Sequence, residues 1–242
     1  MFQRINAIVL RTIKHNDTTL VVDLYSEQNG HVALLASVPA RKQGRKQVRT
    51  FQPLSSIEAE ATNRPTARLN RIKEARATHP FQSIPANPYK TAIVLYLSEF
   101  LYRALHNETA NPLLYAYLEK SMLWLDECKC NFSNFHIVFL MRLSRFLGLY
   151  PNIDEYHEGD FFDMQNACFT PLRPMHPFFL SPNDAKALPA LARMNYGNMH
   201  LFRMNRQQRR QCLDTIHAYY KLHLPNFPDL KSAEVLQELF DA

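Results

Sequence analysis

Residues 18–38, TTLVVDLYSEQNGHVALLASV, carry two β-branched, aromatic and apolar runs separated by Gln28-Asn29-Gly30. Asn-Gly supplies the positive φ angles that a tight hairpin requires, so residues 18–27 and 31–38 are expected as paired antiparallel strands. Upstream, Ile5, Ala7 and Val9 alternate with more polar neighbours, the period of a half-buried strand. Downstream, past a basic run from Pro39 to Arg49, residues 51–61 and 67–77 read as two further strands. Most of the gaps are too short for a helix. A short antiparallel sheet protects its edges best by closing on itself, and an oligonucleotide-binding (OB) barrel is the most economical closed form.

After His79-Pro80 the period changes. Pro85 and Pro88 punctuate the junction, and residues 89–105 place Ile93, Leu97, Phe100, Leu101, Ala104 and Leu105 at helical spacing. Helices are also expected over 112–126, over 131–147 with Gly148 as C-cap, over 206–224 before Pro225, and over 232–240. Residues 150–205 are irregular and hold Pro151, Pro171, Pro174, Pro177, Pro182 and Pro189. They read as a proline-stiffened insertion with at most a short helix near 183–193. The expected architecture is thus α+β and multidomain. An N-terminal OB-fold β-barrel over 1–80 precedes an all-α helical domain over 81–242, which contains the proline-rich insertion.

The 242 residues carry 28 lysines and arginines against 22 acids. Thirteen of those bases and only six of the acids fall within residues 1–80, which leaves the remainder near neutrality. A basic β-module joined to a neutral helical body fits a polyanion-binding domain with a separate partner-binding part. The five glycines are too dispersed for a phosphate-cradling loop or a dinucleotide fingerprint, and there is no G-x-S-x-G elbow or H-E-x-x-H pair. No catalytic residue and no cofactor is expected. Cys128, Cys130, Cys168 and Cys212 are too few and too scattered for a disulfide framework, which fits a reducing cytoplasm. The first residues lack a signal-peptide core and no apolar run could cross a bilayer, so a cytoplasmic, nucleoid-associated location is expected.

Arg41, Lys42, Arg45, Lys46 and Arg49 cluster in the loop after the third strand, with Arg11, Lys14, Arg68, Arg71 and Arg76 on neighbouring strands. Together they are expected to make one face or rim of the barrel positive. Contact of this kind grips phosphates without choosing a sequence. Tyr25 and Phe51 could stack on bases, although core packing suits each at least as well. The one competing constellation is Asp154, Glu155, Glu158, Asp160 and Asp163 with His157. It would suit a metal-dependent nuclease, but its spacing fixes no coordination geometry, and a solvated acidic loop accounts for it more simply. An RNA-binding OB adaptor is the third alternative.

At both ends the chain resembles the RecO family of bacterial recombination mediators. The resemblance is carried by Ala7-Ile-Val-Leu10, by Leu20-Val-Val-Asp-Leu-Tyr-Ser-Glu27 leading to Gly30, by Ala40-Arg-Lys42 and by Phe51-Gln-Pro-Leu54. Near the C-terminus it rests on Tyr219-Tyr-Lys-Leu-His-Leu-Pro225, Phe227, Leu230-Lys-Ser232 and Val235-Leu236. It implies an OB barrel followed by a helical domain, and a non-enzymatic role in DNA repair by homologous recombination within the RecFOR pathway. Such a protein binds single- and double-stranded DNA, anneals complementary strands and helps RecA onto strands covered by single-strand-binding protein, together with RecR. Family members recognise the acidic, Phe-ending C-terminal tail of that single-strand-binding protein. Phe139, Arg142, Leu143, Arg145 and Phe146 on the third helix are the candidates for a matching apolar pocket with nearby cations. Many members also carry a four-cysteine zinc site in the insertion after the third helix, whereas residues 150–169 here hold only Cys168, so no structural metal is inferred.

Overall fold

The structure, a computed structural model, describes residues 2–38, 49–63 and 69–241. Five strands, β1 (Phe2–Asn16), β2 (Thr19–Ser26), β3 (Gly30–Ser37), β4 (Ser56–Thr62) and β5 (Asn70–Ala77), close into a barrel in the order β1-β2-β3-β5-β4. All pairs are antiparallel except β3 with β5. The first strand runs well beyond the expected 5–9 because it serves two neighbours. Its N-terminal half pairs with β4 and its C-terminal half with β2. Residues 51–55, expected as the start of a strand, instead form a turn in which Leu54 takes a positive φ of 58°.

Alternation sets what the barrel encloses. Ile5, Ala7, Val9, Val22, Leu24, Leu34, Ala36, Ile57, Ala59 and Ala61 point inward with Phe51 and Ile72 to form the core. Gly30 ends the β2–β3 hairpin with φ 69°, the conformation Asn-Gly predicts. It has a second reason to be glycine: a Cβ there would run into the backbone of Glu108, Thr109 and Ala110.

Helix α1 (Pro88–Ala104) starts where Asn87 accepts hydrogen bonds from the Tyr89 and Lys90 N–H groups, with proline at the first helical position. Asn111 caps α2 (Pro112–Glu127) in the same way through Leu113 and Leu114. Asp126 near the end of α2 accepts from the N–H groups of Gln82, Ser83 and Ile84, which ties the barrel's exit segment to the helix. Then come α3 (Phe135–Phe146), the short strands β6 (Phe161–Asp163), β7 (Cys168–Thr170) and β8 (Phe179–Leu180), the short helices α4 (Pro182–Ala185) and α5 (Leu188–Arg193), and the long helices α6 (Arg206–His223) and α7 (Lys231–Asp241).

The insertion therefore differs from its expected irregular form. β6 pairs with both β7 and β8, so the region after α2 is not purely helical. The chain divides into two compact units, residues 1–127 with 229–240, and residues 128–228. Packing thus groups the barrel with α1, α2 and the C-terminal helix, whereas the change of sequence period lies at residue 80. The reason is visible at Glu99 on α1, whose carboxylate accepts from the Lys231 and Ser232 N–H groups and from the Ser232 hydroxyl, capping α7 from another helix.

Candidate nucleic-acid interface

The described cations of the barrel fall into two sets. On β4 and β5, Arg76 donates to Glu58 at 2.5 and 2.9 Å, and the Lys73 ammonium lies 3.1 Å from Glu60. Arg4 lines the same shallow groove with Glu58, Glu60 and Glu74. Arg76 is therefore matched by an acid, and this face is mixed in sign rather than positive as expected. Cross-strand pairing explains it, since Glu58 faces Arg76 and Glu60 faces Glu74 in the β4–β5 register.

The second set is unmatched. Arg11, Arg49 and Arg71 are exposed, and among the described residues none has a carboxylate within ion-pairing distance. Lys14 meets Asp17 at 2.7 Å, and its hydrogen bond and charge hold the Asp17 carboxyl below its usual value. That pair is fully open to solvent, where ion pairs are weak enough to be exchanged for a phosphate. Arg41, Lys42, Arg45, Lys46 and Arg68 lie outside the described residues.

Arg11 owes its position to a local irregularity. The β1–β2 register shifts between Val9 and Arg11, leaving the Leu10 carbonyl outside the ladder, where it accepts the Ser98 hydroxyl of α1 at 2.5 Å. Tyr102 follows Ser98 by one helical turn on the same face. The Arg11 guanidinium lies 4.8 Å from its ring centroid. Tyr25 and Phe51, the aromatic candidates, are both buried, and Tyr25 donates its hydroxyl to the Thr109 carbonyl at 3.0 Å. Neither ring is available to a base.

The partner-binding candidates on α3 require a correction. Phe139 and Leu143 are each 0% exposed, part of a helix with nine buried residues among its twelve. Their side chains belong to the core and cannot line an open pocket. Arg142 and Arg145 are exposed and rest on the rings of Tyr196 and Tyr150 at 5.7 and 4.2 Å, while Phe146 is half-buried. An open cleft of about 400 Å³ lies elsewhere, between α4, α5 and α6. Leu188, Leu191, Phe202 and Met204 line it, with the exposed cations Lys186 and Arg203 among the lining residues. Asp184, also in the lining, is engaged by the Ser181 hydroxyl and the Gln211 amide. A signal was present in the chain: between Asp184 and Asp214 there are six bases and no acid.

Asp154, Glu155 and Glu158 of the acidic cluster are exposed, as a solvated loop requires, whereas Asp160 and Asp163 are structural. Asp160 accepts from the His157 N–H at 3.0 Å, and Asp163 accepts from the N–H groups of Gln165 and Asn166, from the Asn166 amide and from the His176 ring at 3.2 Å. Burial pushes the Asp163 carboxyl up, but these hydrogen bonds outweigh it and hold it below its usual value. These two carboxylates are buried, so the expectation of a solvated loop fails for them alone. Among the described residues no group of three or more histidines, cysteines or acids is placed to hold a metal. Cys168 has no second cysteine beside it in the insertion, and burial together with Asp163 and Glu155 raises its thiol. The residues present therefore do not fit a thiolate metal site. No helix among the described residues is long and apolar enough to cross a membrane.

Comparison with known proteins covers the chain nearly from end to end. The family model for the N-terminal part of recombination protein O matches residues 1–81, and that for its C-terminal part matches residues 85–234. The DNA repair protein RecO of Bacteroides fragilis is 55% identical over 242 residues, covering all of both chains. The RecO of Phocaeicola vulgatus is 54% identical over 240 residues, which is 99% of this chain and 100% of the relative. That of Porphyromonas gingivalis is 34% identical over 241 residues, at 97% and 98% coverage.

Proposed function

The chain belongs to the recombination protein O (RecO) family of DNA repair proteins, and from that premise we propose that its barrel binds single- and double-stranded DNA to anneal complementary strands and to help place RecA on strands coated by single-strand-binding protein. The observation that carries the reading is the set of barrel cations, Arg11, Arg49 and Arg71, that form no ion pair among the described residues, on the domain richest in bases. Two phosphate chains repel each other. A cationic surface screens both, while base pairing supplies the specificity, so no bond needs to be made or broken by the protein. Asp160 and Asp163, the buried acids of the alternative nuclease cluster, are engaged in turns of the insertion. The protein acts as a binding mediator and not as an enzyme.

The cleft between α4, α5 and α6 supports the partner reading better than α3 does. It joins an apolar lining to Lys186 and Arg203, which suits the acidic, Phe-ending tail of the single-strand-binding protein. RecR is the remaining proposed partner.

The test is annealing of two complementary dye-labelled oligonucleotides without nucleotide cofactor, naked or pre-coated with single-strand-binding protein that has or lacks its C-terminal tail. We expect annealing of naked strands that weakens with salt, and annealing of coated strands only when the tail is present. Absence of annealing on naked DNA at low salt overturns the mediator reading. Equal annealing on tailed and tailless coats, unaffected by Lys186→Glu with Arg203→Glu, overturns the role of the cleft.

A further inference from the structure

Tyr102 on α1 carries two guanidinium groups. That of Arg11, from strand β1, lies 4.8 Å from the ring centroid, and that of Arg103, its own neighbour in the helix, lies 5.3 Å away. The two cations are therefore at most about 10 Å apart, held by one ring that bridges barrel and helix. Guanidinium groups at such a separation repel each other, and the Tyr102 ring is what both contact.

Among the described residues neither guanidinium has a carboxylate within ion-pairing distance. Asp23 is the cross-strand partner of Arg11, but it is buried and faces the His31 ring at 3.6 Å, making no ion pair with Arg11. Glu99, one helical turn before Arg103, lies near enough to feel its charge. Its oxygens, however, are engaged by Lys231 and Ser232. His106 completes the cluster, edge-on to Tyr102 at 5.8 Å and 4.8 Å from His31. Arg11, Arg103 and His106 are all exposed, whereas the ring beneath them is half-buried. An exposed pair of arginines resting on one ring, with no carboxylate in ion-pairing distance, is suited to an oxyanion with several acceptor oxygens.

We propose that Tyr102 is a positioning residue that sets Arg11 and Arg103 as a clamp for neighbouring backbone phosphates of one DNA strand. The proposal rests on the DNA-binding reading above and names a seat for the strand at the junction of β1 with α1. Arg103 and Tyr102 lie outside the barrel sequence, so a search of the first 80 residues for bases does not find them.

The experiment uses the full chain and a fluorescent oligothymidylate, with affinity read by anisotropy across a salt series. Arg103→Gln is expected to weaken binding about fourfold near about 0.15 M salt and to reduce the salt slope by about 0.7, the value for one phosphate contact on a single strand. Tyr102→Leu keeps both charges yet should weaken binding about two- to fivefold, the effect of releasing exposed cations from a ring. Tyr102→Phe, which keeps the ring and removes only the hydroxyl, should bind like the parent. A structural role for Tyr102 predicts instead that Leu and Phe variants differ in thermal midpoint but not in DNA affinity, and that result overturns the clamp. Parent-like affinity and slope for Arg103→Gln also overturns it, and because Arg103 is exposed its replacement does not depend on refolding of the core. Failure of the parent protein to bind oligothymidylate at low salt would count against the DNA-binding reading itself and not against the clamp alone.

Discussion

Arg11 and Lys73 are both exposed barrel cations, yet the structure gives them different electrostatic lives, and this difference can be measured. Arg11 has no carboxylate partner, whereas Lys73 sits 3.1 Å from Glu60 and 4.7 Å above the ring of Phe2. Replacing Arg11 by Gln removes one unmatched phosphate contact. For a single strand each contact contributes about 0.7 to the slope of log affinity against log salt, so the loss is about fourfold near about 0.15 M and about eightfold near about 0.05 M. Replacing Lys73 by Gln removes a charge already balanced and frees Glu60, so the salt slope should stay within error of the parent. Anisotropy of a labelled oligothymidylate at four or five salt concentrations reads both. If Lys73→Gln flattens the slope as much as Arg11→Gln does, net charge alone governs binding, and the division of the barrel into matched and unmatched faces is wrong.

Other outcomes follow from the packing. Gly30→Ala must place a Cβ at φ 69° within 2.6 Å of the Thr109 carbonyl carbon and 2.8 Å of the Ala110 nitrogen. Left-handed strain and overpacking together should lower stability by about 2 to 4 kcal/mol in urea unfolding, and a loss below 1 kcal/mol would mean that the 108–110 backbone yields freely. Glu99→Ala removes the cap on α7 and should cost about 1 kcal/mol, seen as faster amide exchange through residues 233–239, so unchanged exchange there contradicts the capping role. Burial pushes the His136 imidazole down to about 3, with the charges of Arg209 and His217 adding to the effect. The unfolded chain then binds a proton that the folded one refuses, so His136 contributes no penalty above about pH 6.5. Stability should fall as pH drops from there toward about 3, by up to about 1.4 kcal/mol per unit. His136→Phe should flatten that part of the urea-midpoint profile, and an identical profile in the variant would assign the acid sensitivity elsewhere.

Much of the barrel was legible because burial on one side of a strand writes itself into every second residue. The alternation through Val22 and Leu24 and through Leu34 and Ala36 and the Asn29-Gly30 turn each had a single structural solution. The helices were legible for the same kind of reason, at a period of 3.6. The insertion was less so. Strands of two or three residues such as β6, β7 and β8 are too short to show a period, and the hydrogen bonds that organise them converge on one side chain, Asp163. The site divided along similar lines. Which residues are cations was plain, but which of them stay unmatched depends on packing as well as register: Arg76 meets Glu58 across the strands, whereas Asp23 opposite Arg11 is buried and faces His31. On α3 the apolar candidates failed because a helix that is apolar nearly all round hides its phenylalanines, and no periodicity tells a buried pocket wall from plain core.

By itself the sequence determined the two kinds of secondary structure, the closure of the N-terminal strands and the concentration of bases there. Each of these follows from local chemistry: backbone preference, alternation and the count of charges. The tertiary structure alone decided that a bulge at Leu10 turns its carbonyl to Ser98, that Tyr102 thereby meets Arg11, and that Glu99 caps a helix more than 130 residues away in the chain. Contacts of that kind depend on distances between residues remote in sequence, and only the packed fold sets those distances.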